Sequence, residues 1–520
     1  MAALVGAYGS AFYWPALRCS VISDGWHLLY IGSRPLRQAI STRLDYHFSP
    51  VAHLLDGLLW RAFGMNDVAY QVENLVSLGL LAGALYALTR RLFRDAQVAL
   101  VALLLYLANA SFYEVPLWPV VGNFQSFAAL LYVAGVALAI RSGRPPRAWG
   151  WALAFGACAL AAFFTYEPTL SLLPVGVLAA LLSDRAPEVS ALGSGRAAGW
   201  RRAVPAAAVA AGVLAVAVLA KAALSAAGDR AAFLPGDFET LRVRALFLLR
   251  AVVAVFTLRP ADTLPAQALA GALGLTLESS WFGALAAGLL LALLAGAALL
   301  VWRGSDPIRV ATLWLVVHLL MLATVTTPES RHNLIAAVPA AMLASAALWA
   351  LGRGLARRRW LPRAWPHAPV SVPLVALLLL LPGASRDFER AARLYGEGTA
   401  ATRELRRLVE ERLREGPAVA SVSLVNLPAK VYDDGGLGAY WFINGAHFLV
   451  ELATRGEVRH DRVSFFHLRE PEPDGAFANG SRQIRWRHLV RQIRDPTVLV
   501  LMYDPELRTV VRLRPKRTPD

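Results

Sequence analysis

The sequence predicts a multi-pass α-helical membrane protein, with about eleven transmembrane helices and a small C-terminal α/β domain. Three observations predict it. The 520 residues are 57% hydrophobic. Only 17% are charged, against roughly 25% in soluble domains. Apolar runs recur up to about residue 381, whereas the last 135 or so residues have an ordinary soluble composition.

A helix needs about 20 apolar residues to cross a hydrocarbon layer of about 30 Å. Candidate spans are 2–17, 68–88, 96–112, 120–140, 148–164, 167–182, 203–224, 281–302, 308–325, 334–351 and 367–383. The first lacks a charged start and reads as an anchor rather than a cleavable signal. Basic residues set the orientation. Arg90, Arg91 and Arg94 follow the second span, and Arg141, Arg144 and Arg147 follow the fourth. Arg185, Arg196, Arg201 and Arg202 lie between the sixth and seventh, and Arg303 and Arg309 between the eighth and ninth. Arg353, Arg357, Arg358, Arg359 and Arg363 follow the tenth. Eleven spans put all of them on one side, the cytoplasm.

Leu241–Phe256 is apolar enough to insert, but would turn every later loop over and carry Arg250 into the bilayer, at about 2.5–3.5 kcal/mol at a helix centre. It is expected to lie in the interface or pack on the bundle. The domain division is then 1–384, transmembrane with long external loops 18–67 and 225–280, and 385–520, soluble and extracytoplasmic. The net charge of +16 reflects arginine-bearing loops, so nucleic acid is not an expected partner. Cys19 and Cys158 suggest neither a disulfide framework nor a zinc site.

The chemistry is sought in the external loops. Asp24 stands where the first helix meets its loop, a place for a carboxylate held near the membrane face and able to act as general base. Glu114 lies in a short loop with no basic residue nearby; it could orient Asp24 or the acceptor, or bind a divalent cation with it. Arg331 and His332 open the tenth span. A guanidinium there can grip a phosphate with paired hydrogen bonds while its stem lies in lipid. Glu167-Pro168 opens the sixth span, where glutamate suits the helix dipole and proline the first turn. Glu73 and Asn74 lie inside the second span, where a hydrogen bond to a neighbouring helix is expected. His27, His47 and His53 share the first loop with Asp24 and Asp45, at spacings that match no metal motif. No P-loop, dinucleotide fingerprint or Asp-x-Asp element is present, which disfavours a soluble nucleotide donor.

The order of Asp24, then YHFSPVAHLL, then LLWRAFGMNDVAYQVENLVSLGLLAGALYALTRRLF resembles the GT-C superfamily of membrane glycosyltransferases. The similarity is nearest the protein O-mannosyltransferase and ArnT-like branches, glycosyltransferase family 39. ASFYEVPLWPVVGNFQSFAALL resembles the second external loop of those enzymes. FFTYEPTLSLLP resembles the start of a later helix, with Tyr166 in place of the usual basic residue, and TPESRHNLIAAVPA an element before a late helix. The likeness covers roughly 1–350. Two departures stand out: many relatives carry paired acids where this chain has Ser23-Asp24, and a histidine often found in helix two is absent near Ser77.

The resemblance implies inverting transfer of a sugar from a polyprenyl-phosphate donor to an acceptor hydroxyl, at the outer face of a bacterial plasma membrane. Asp24 and Glu114 would be catalytic. Arg331, His332, Glu167 and His47 would bind substrate. No cofactor is specified, and metal dependence is left open, with a divalent cation shared by the two acids as the one candidate. The acceptor, whether protein, lipid or glycan, is not specified. The rival classes are a transporter or lipid carrier without catalysis, and an inactive GT-C relative.

In the C-terminal part, 386–415 reads as one long amphipathic helix leaving the membrane. VASVSLVNL, AYWFIN, AHFLVEL and TVLVLMY follow as apolar runs. The last continues through DPEL into RTVVRLR as a hairpin, and Asp433–Gly436 and Asn444-Gly445 read as turns.

Overall fold

A computed structural model describes residues 2–42, 49–143, 147–182, 195–225, 238–260, 280–325, 329–357, 367–415, 418–434, 437–468 and 477–515. The helices, in chain order, are α1 (Ala2–Tyr13), α2 (Asp24–Ser33), α3 (Leu36–Ser41), α4 (Pro50–Phe63), α5 (Asp67–Phe93), α6 (Ala96–Leu107), α7 (Glu114–Leu117), α8 (Val121–Ser142) and α9 (Ala148–Phe163). They continue as α10 (Leu172–Leu182), α11 (Gly195–Ser225), α12 (Phe238–Thr257), α13 (Ser280–Arg303), α14 (Asp306–Val325), α15 (Asn333–Ala356) and α16 (Ala368–Glu415).

Six of the described helices are long and apolar enough to cross a membrane, with five shorter apolar helices beside them. The architecture is that of a multi-pass helical membrane protein. Helix α1 is shorter than the first expected span, because the chain tightens at Trp14-Pro15 into a 3-10 turn, Trp14–Arg18. Large apolar side chains point outward on the spans: Leu219 is 69% exposed and Leu379 76%. Such a surface is stable against lipid and costly against water. The opposite faces pack inward, where Tyr70, Tyr106, Tyr132 and Trp314 are fully buried.

Two contacts place arginine-bearing turns together. Arg353 reaches Asp95, beside Arg94, at 3.8 Å, and the backbone at Gly143 lies against Arg202. Helix α12 packs on the bundle through Ala251, Ala254 and Val255. The Val255 carbonyl accepts from Asn109 Nδ2 at 3.1 Å, and the Leu258 carbonyl from the Ala110 amide at 3.0 Å. Inside α5, the Asn74 amide donates to the Val115 carbonyl at 2.7 Å, whereas Glu73 accepts from Ser77 on its own helix at 2.8 Å. Of this adjacent pair, one side chain bonds a neighbouring element and the other its own turn.

Helix α16 runs without a break for 48 residues, from the last apolar run into the amphipathic stretch, through position 384. Beyond it stand strands β1 (Ser421–Val425), β2 (Lys430–Tyr432), β3 (Gly438–Tyr440), β4 (Val463–His467), β5 (Arg482–Gln483), β6 (Val498–Asp504) and β7 (Thr509–Arg512). Helices α17 (Ala446–Ala453) and α18 (Trp486–Arg494) supply the crossovers that parallel strands require. One sheet has the order β5-β4-β1-β6-β7, with β6 and β7 antiparallel as the hairpin expected from DPEL. A separate two-stranded piece pairs Lys430 with Tyr440 and Tyr432 with Gly438. The run AYWFIN ends β3, where Trp441 turns inward and donates to the Leu394 carbonyl on α16 at 3.1 Å. Asp433 closes its turn by accepting from the Leu437 amide.

Candidate functional site

Chain segments 19–24, 109–121, 164–171 and 329–333 meet the β2–β3 piece at one end of the bundle. Each is held there by a small residue or a side chain that satisfies backbone. Helix α7 crosses the start of α8 so closely that a Cβ at Gly122 would lie 2.1 Å from the Val115 carbonyl. Its carbonyls at Val115 and Pro116 accept from Asn74 and Gln71. The preceding Val120 is forced to φ +74°, a conformation that costs a β-branched residue on the order of 1–3 kcal/mol. These contacts fix Glu114, the first residue of α7, in a buried position.

Arg331 lies across from it in a 3-10 turn, Ser330–His332, tied down by Asn333 donating to the Ser111 carbonyl at 3.1 Å. The Arg331 backbone amide donates to Glu114 Oε2 at 3.2 Å, and its guanidinium reaches the same oxygen at 3.5 Å. The guanidinium also pairs with Glu329. Glu329 in turn contacts His332 Nε2 at 3.2 Å and accepts from the Tyr440 hydroxyl at 3.0 Å. The other ring nitrogen of His332 meets the Tyr166 hydroxyl at 2.5 Å. Trp118 and Tyr440 flank the guanidinium, 5.2 and 5.9 Å from ring centroid to Cζ. Two carboxylates therefore share one arginine within an aromatic enclosure.

Burial pushes the Glu114 carboxyl up to about 7; Arg331 opposes the rise and Glu329 adds to it. Near neutral pH this acid is poised between its two forms, as groups that exchange protons in catalysis commonly are.

Asp24 begins α2 and is half-buried. The backbone just before it is gripped by the C-terminal part: the Ser23 amide donates to the Trp441 carbonyl at 3.1 Å, and Ser23 Oγ accepts from the Ile443 amide at 3.2 Å. A Cβ at Gly445 would fall 1.7 Å from the Ser23 carbonyl oxygen, so the two chains touch backbone to backbone. Ser23 adopts φ +47°, outside the usual range for serine. Trp118 connects this segment to the arginine: its indole N–H donates to the Ile22 carbonyl at 3.1 Å while its ring faces Arg331.

The structure thus brings Glu114, Arg331 and His332 into one network, with Asp24 beyond Trp118. Glu167 is buried where the turn Glu167–Ser171 begins, next to Tyr166, which bonds His332. His47 lies outside the described residues. His27 stacks on Phe448 with centroids 4.1 Å apart, and His53 faces Asp56 at 3.6 Å. Among the described residues no group of three or more histidines, cysteines or acids is arranged to hold a metal ion. Sequence reasoning missed Glu329, Trp118 and Tyr440. Glu329 stands two residues before Arg331 within the quoted TPESRHN element, so its proximity was available; Tyr440 is 111 residues from Glu329 and carried no such signal. An apolar cavity of about 800 Å³ between α1, α5 and α6 shares no lining residue with the polar network.

No family model matches the chain, and no curated protein matches it in sequence. Solved structures do match. ArnT from Cupriavidus metallidurans bound to undecaprenyl phosphate aligns with 97% of this chain and 93% of its own, at a TM-score of 0.50 and 13% identity. The Archaeoglobus fulgidus oligosaccharyltransferase, in a complex with Zn and sulfate, aligns with 87% of this chain and 62% of its own at a TM-score of 0.46 and 12% identity. The archaeal oligosaccharyltransferase AglB from the same organism, with an inhibitory peptide and a dolichol-phosphate, covers 88% and 65% at 0.44 and 12%. The two oligosaccharyltransferase scores are too low to carry weight; the ArnT alignment runs almost end to end, and the chain has a GT-C-like fold.

Proposed function

We propose that this protein is a glycosyltransferase that moves a sugar from a polyprenyl-phosphate carrier to an acceptor hydroxyl at the extracytoplasmic face of the plasma membrane. The observation that carries the reading is the buried network in which Arg331 is shared by Glu114 and Glu329, one indole away from the segment leading into Asp24. Around it stands a GT-C-like fold whose neighbour ArnT is bound to undecaprenyl phosphate.

In the proposed step the acceptor oxygen attacks the anomeric carbon as the bond from that carbon to the phosphate oxygen breaks. The phosphate leaves with the bonding electron pair. The acceptor proton passes to the Asp24 carboxylate, and a single displacement inverts the anomeric centre. Arg331 faces the negative charge that grows on the phosphate. Because Arg331 already pairs with two carboxylates, an arriving phosphate competes with them. Protonation of Glu114 relieves that competition, so affinity for the phosphodiester-linked donor, which does not itself titrate in this range, should rise as pH falls through about 7 and become flat in Glu114→Gln.

The acids do not make a good cation site. Glu114 Oε2 is occupied by the Arg331 amide and guanidinium, and no step is assigned to a metal.

The test is turnover by the full-length protein with a panel of undecaprenyl-phosphate monosaccharides and cell-envelope extract as acceptor, reading free undecaprenyl phosphate by mass spectrometry. Release with at least one donor is expected, lost in Asp24→Asn while the protein stays folded in the membrane. Full activity in Asp24→Asn removes it as the base, and no release from any donor refutes the transferase reading.

A further inference from the structure

Arg331 carries one positive charge against the two carboxylates that contact it, so on its own it offers a phosphate little net attraction. A second cation stands in the same enclosure and comes from the C-terminal part of the chain. Lys430 is one of three lysines. It lies on β2 directly across from Tyr440 on β3. Its ammonium sits 4.7 Å from the Tyr440 ring centroid and 5.0 Å from that of Tyr432. The same Tyr440 ring lies 5.9 Å from the Arg331 guanidinium and bonds Glu329 through its hydroxyl. Lys430 also acts electrostatically on buried Glu114. Among the described residues no carboxylate lies within ion-pair distance of Lys430.

The placement of this ammonium depends on a missing side chain. A Cβ at Gly438 would lie 2.2 Å from Lys430 Cε and 3.0 Å from Nζ. Glycine at 438 leaves the room that the end of the lysine side chain occupies. The Gly438 carbonyl accepts from the Tyr113 hydroxyl at 2.9 Å, which holds that strand against the residue before Glu114. The end of the lysine is packed against Gly438 and between the Tyr432 and Tyr440 rings, whereas a solvated surface lysine would be free to move.

We propose that Lys430 is a phosphate-binding residue for the lipid-linked donor, delivered by the C-terminal part of the chain, so that the donor site is complete only when β2 and β3 are docked. The inference rests on the function proposed above. It adds a residue to the binding machinery, and it gives the C-terminal part a direct role in donor recognition. Recognition is of the phosphate group, by a compact ammonium on one side and the Arg331 fork on the other.

The experiment is a binding titration of the full-length protein in detergent with undecaprenyl phosphate, with undecaprenol, and with inorganic phosphate. The unaltered protein should bind undecaprenyl phosphate far more tightly than undecaprenol. Lys430→Met keeps the stem and removes the charge; it should weaken undecaprenyl phosphate by about tenfold or more and leave undecaprenol unchanged. Lys430→Arg should recover part of the loss. Gly438→Ala changes no charge and should weaken binding by displacing the lysine. Wild-type affinity in both Lys430→Met and Gly438→Ala, with phosphate-dependent binding intact, overturns the role of Lys430 and leaves the transferase reading standing. Equal binding of undecaprenol and undecaprenyl phosphate by the unaltered protein overturns the donor reading itself. Lys430-dependent binding of inorganic phosphate, with nothing gained from the prenyl chain, overturns the lipid assignment.

Discussion

Glu114 and Asp56 are both buried carboxyl groups, and they meet burial in different company. Glu114 lies beside Arg331 and within the influence of Lys430. Among the described residues Asp56 has only His53, at 3.6 Å, and neither of its oxygens has a hydrogen-bond partner closer than that. Yet the better-supplied acid is not the more acidic one: burial pushes Glu114 up to about 7 and Asp56 to about 6. Part of the difference is intrinsic, since a glutamate starts from 4.5 and an aspartate from 3.8, and Glu329 adds to it. Glu329 takes the same guanidinium and repels Glu114 at close range, so one arginine divided between two acids does not offset the loss of water. A buried arginine at a functional site is therefore judged by how many anions already share it.

The largest test of that contrast is Arg331→Met. It leaves Glu114 and Glu329 facing each other without their cation, and about 3–5 kcal/mol of stability should be lost, read from thermal unfolding of the purified protein. A loss much below 1 kcal/mol would mean the acids are already protonated and the network is not ionic. Next in size is Gly445→Ala. Its new methyl group meets the Ser23 carbonyl, and overpacking of this kind costs about 1–3 kcal/mol. Because the shifted backbone carries Asp24, transfer activity should fall further than stability. An unchanged rate would show that the grip on Ser23 does not set the position of Asp24.

The test that separates the two acids is pH dependence. Both carboxyl groups are raised, so in each case the native state holds the proton more tightly than the unfolded chain. Each contribution is complete below the ordinary carboxylate range and is lost as pH rises, through about 6 for Asp56 and about 7 for Glu114. Asp56→Asn should remove slope only up to about pH 6, whereas Glu114→Gln should remove slope from the ordinary carboxylate range up to about pH 7, so only Glu114→Gln changes the profile between about 6 and 7. Identical profiles for the two variants would erase the distinction between the sites.

The membrane character, the long amphipathic helix from 386 and the final hairpin were legible in the sequence, because hydropathy and turn chemistry act over short stretches. Six described helices meet the length and apolarity needed and five shorter apolar ones stand beside them; the boundaries were less legible, since Pro15 and the short turns at 110–112 and 167–171 interrupt apolar runs that look continuous. At the site, Arg331 and Glu114 drew notice as isolated charges in apolar surroundings. Tyr440, Lys430 and Trp441 could not, because their part in it depends on how a separate sheet packs against the bundle. The double carboxylate on Arg331 was equally hidden: Glu329 is near in sequence, but a residue two positions away can point anywhere in a loop.

Helix α16 has a consequence for how the chain is made. At 1.5 Å per residue its 48 residues form a rod about 72 Å long, and the helix continues from the last apolar run into the stalk beneath the sheet, missing only the backbone donors of Pro373 and Pro382. Arg259 and Arg390 both clasp Asp387 on that rod, and Arg390 also clasps Asp433. Once the ribosome has delivered the apolar half into lipid, the direction of the remainder is already chosen, and the sheet assembles around a mast that points at its destination. Insertion and docking are in this sense a single biosynthetic decision.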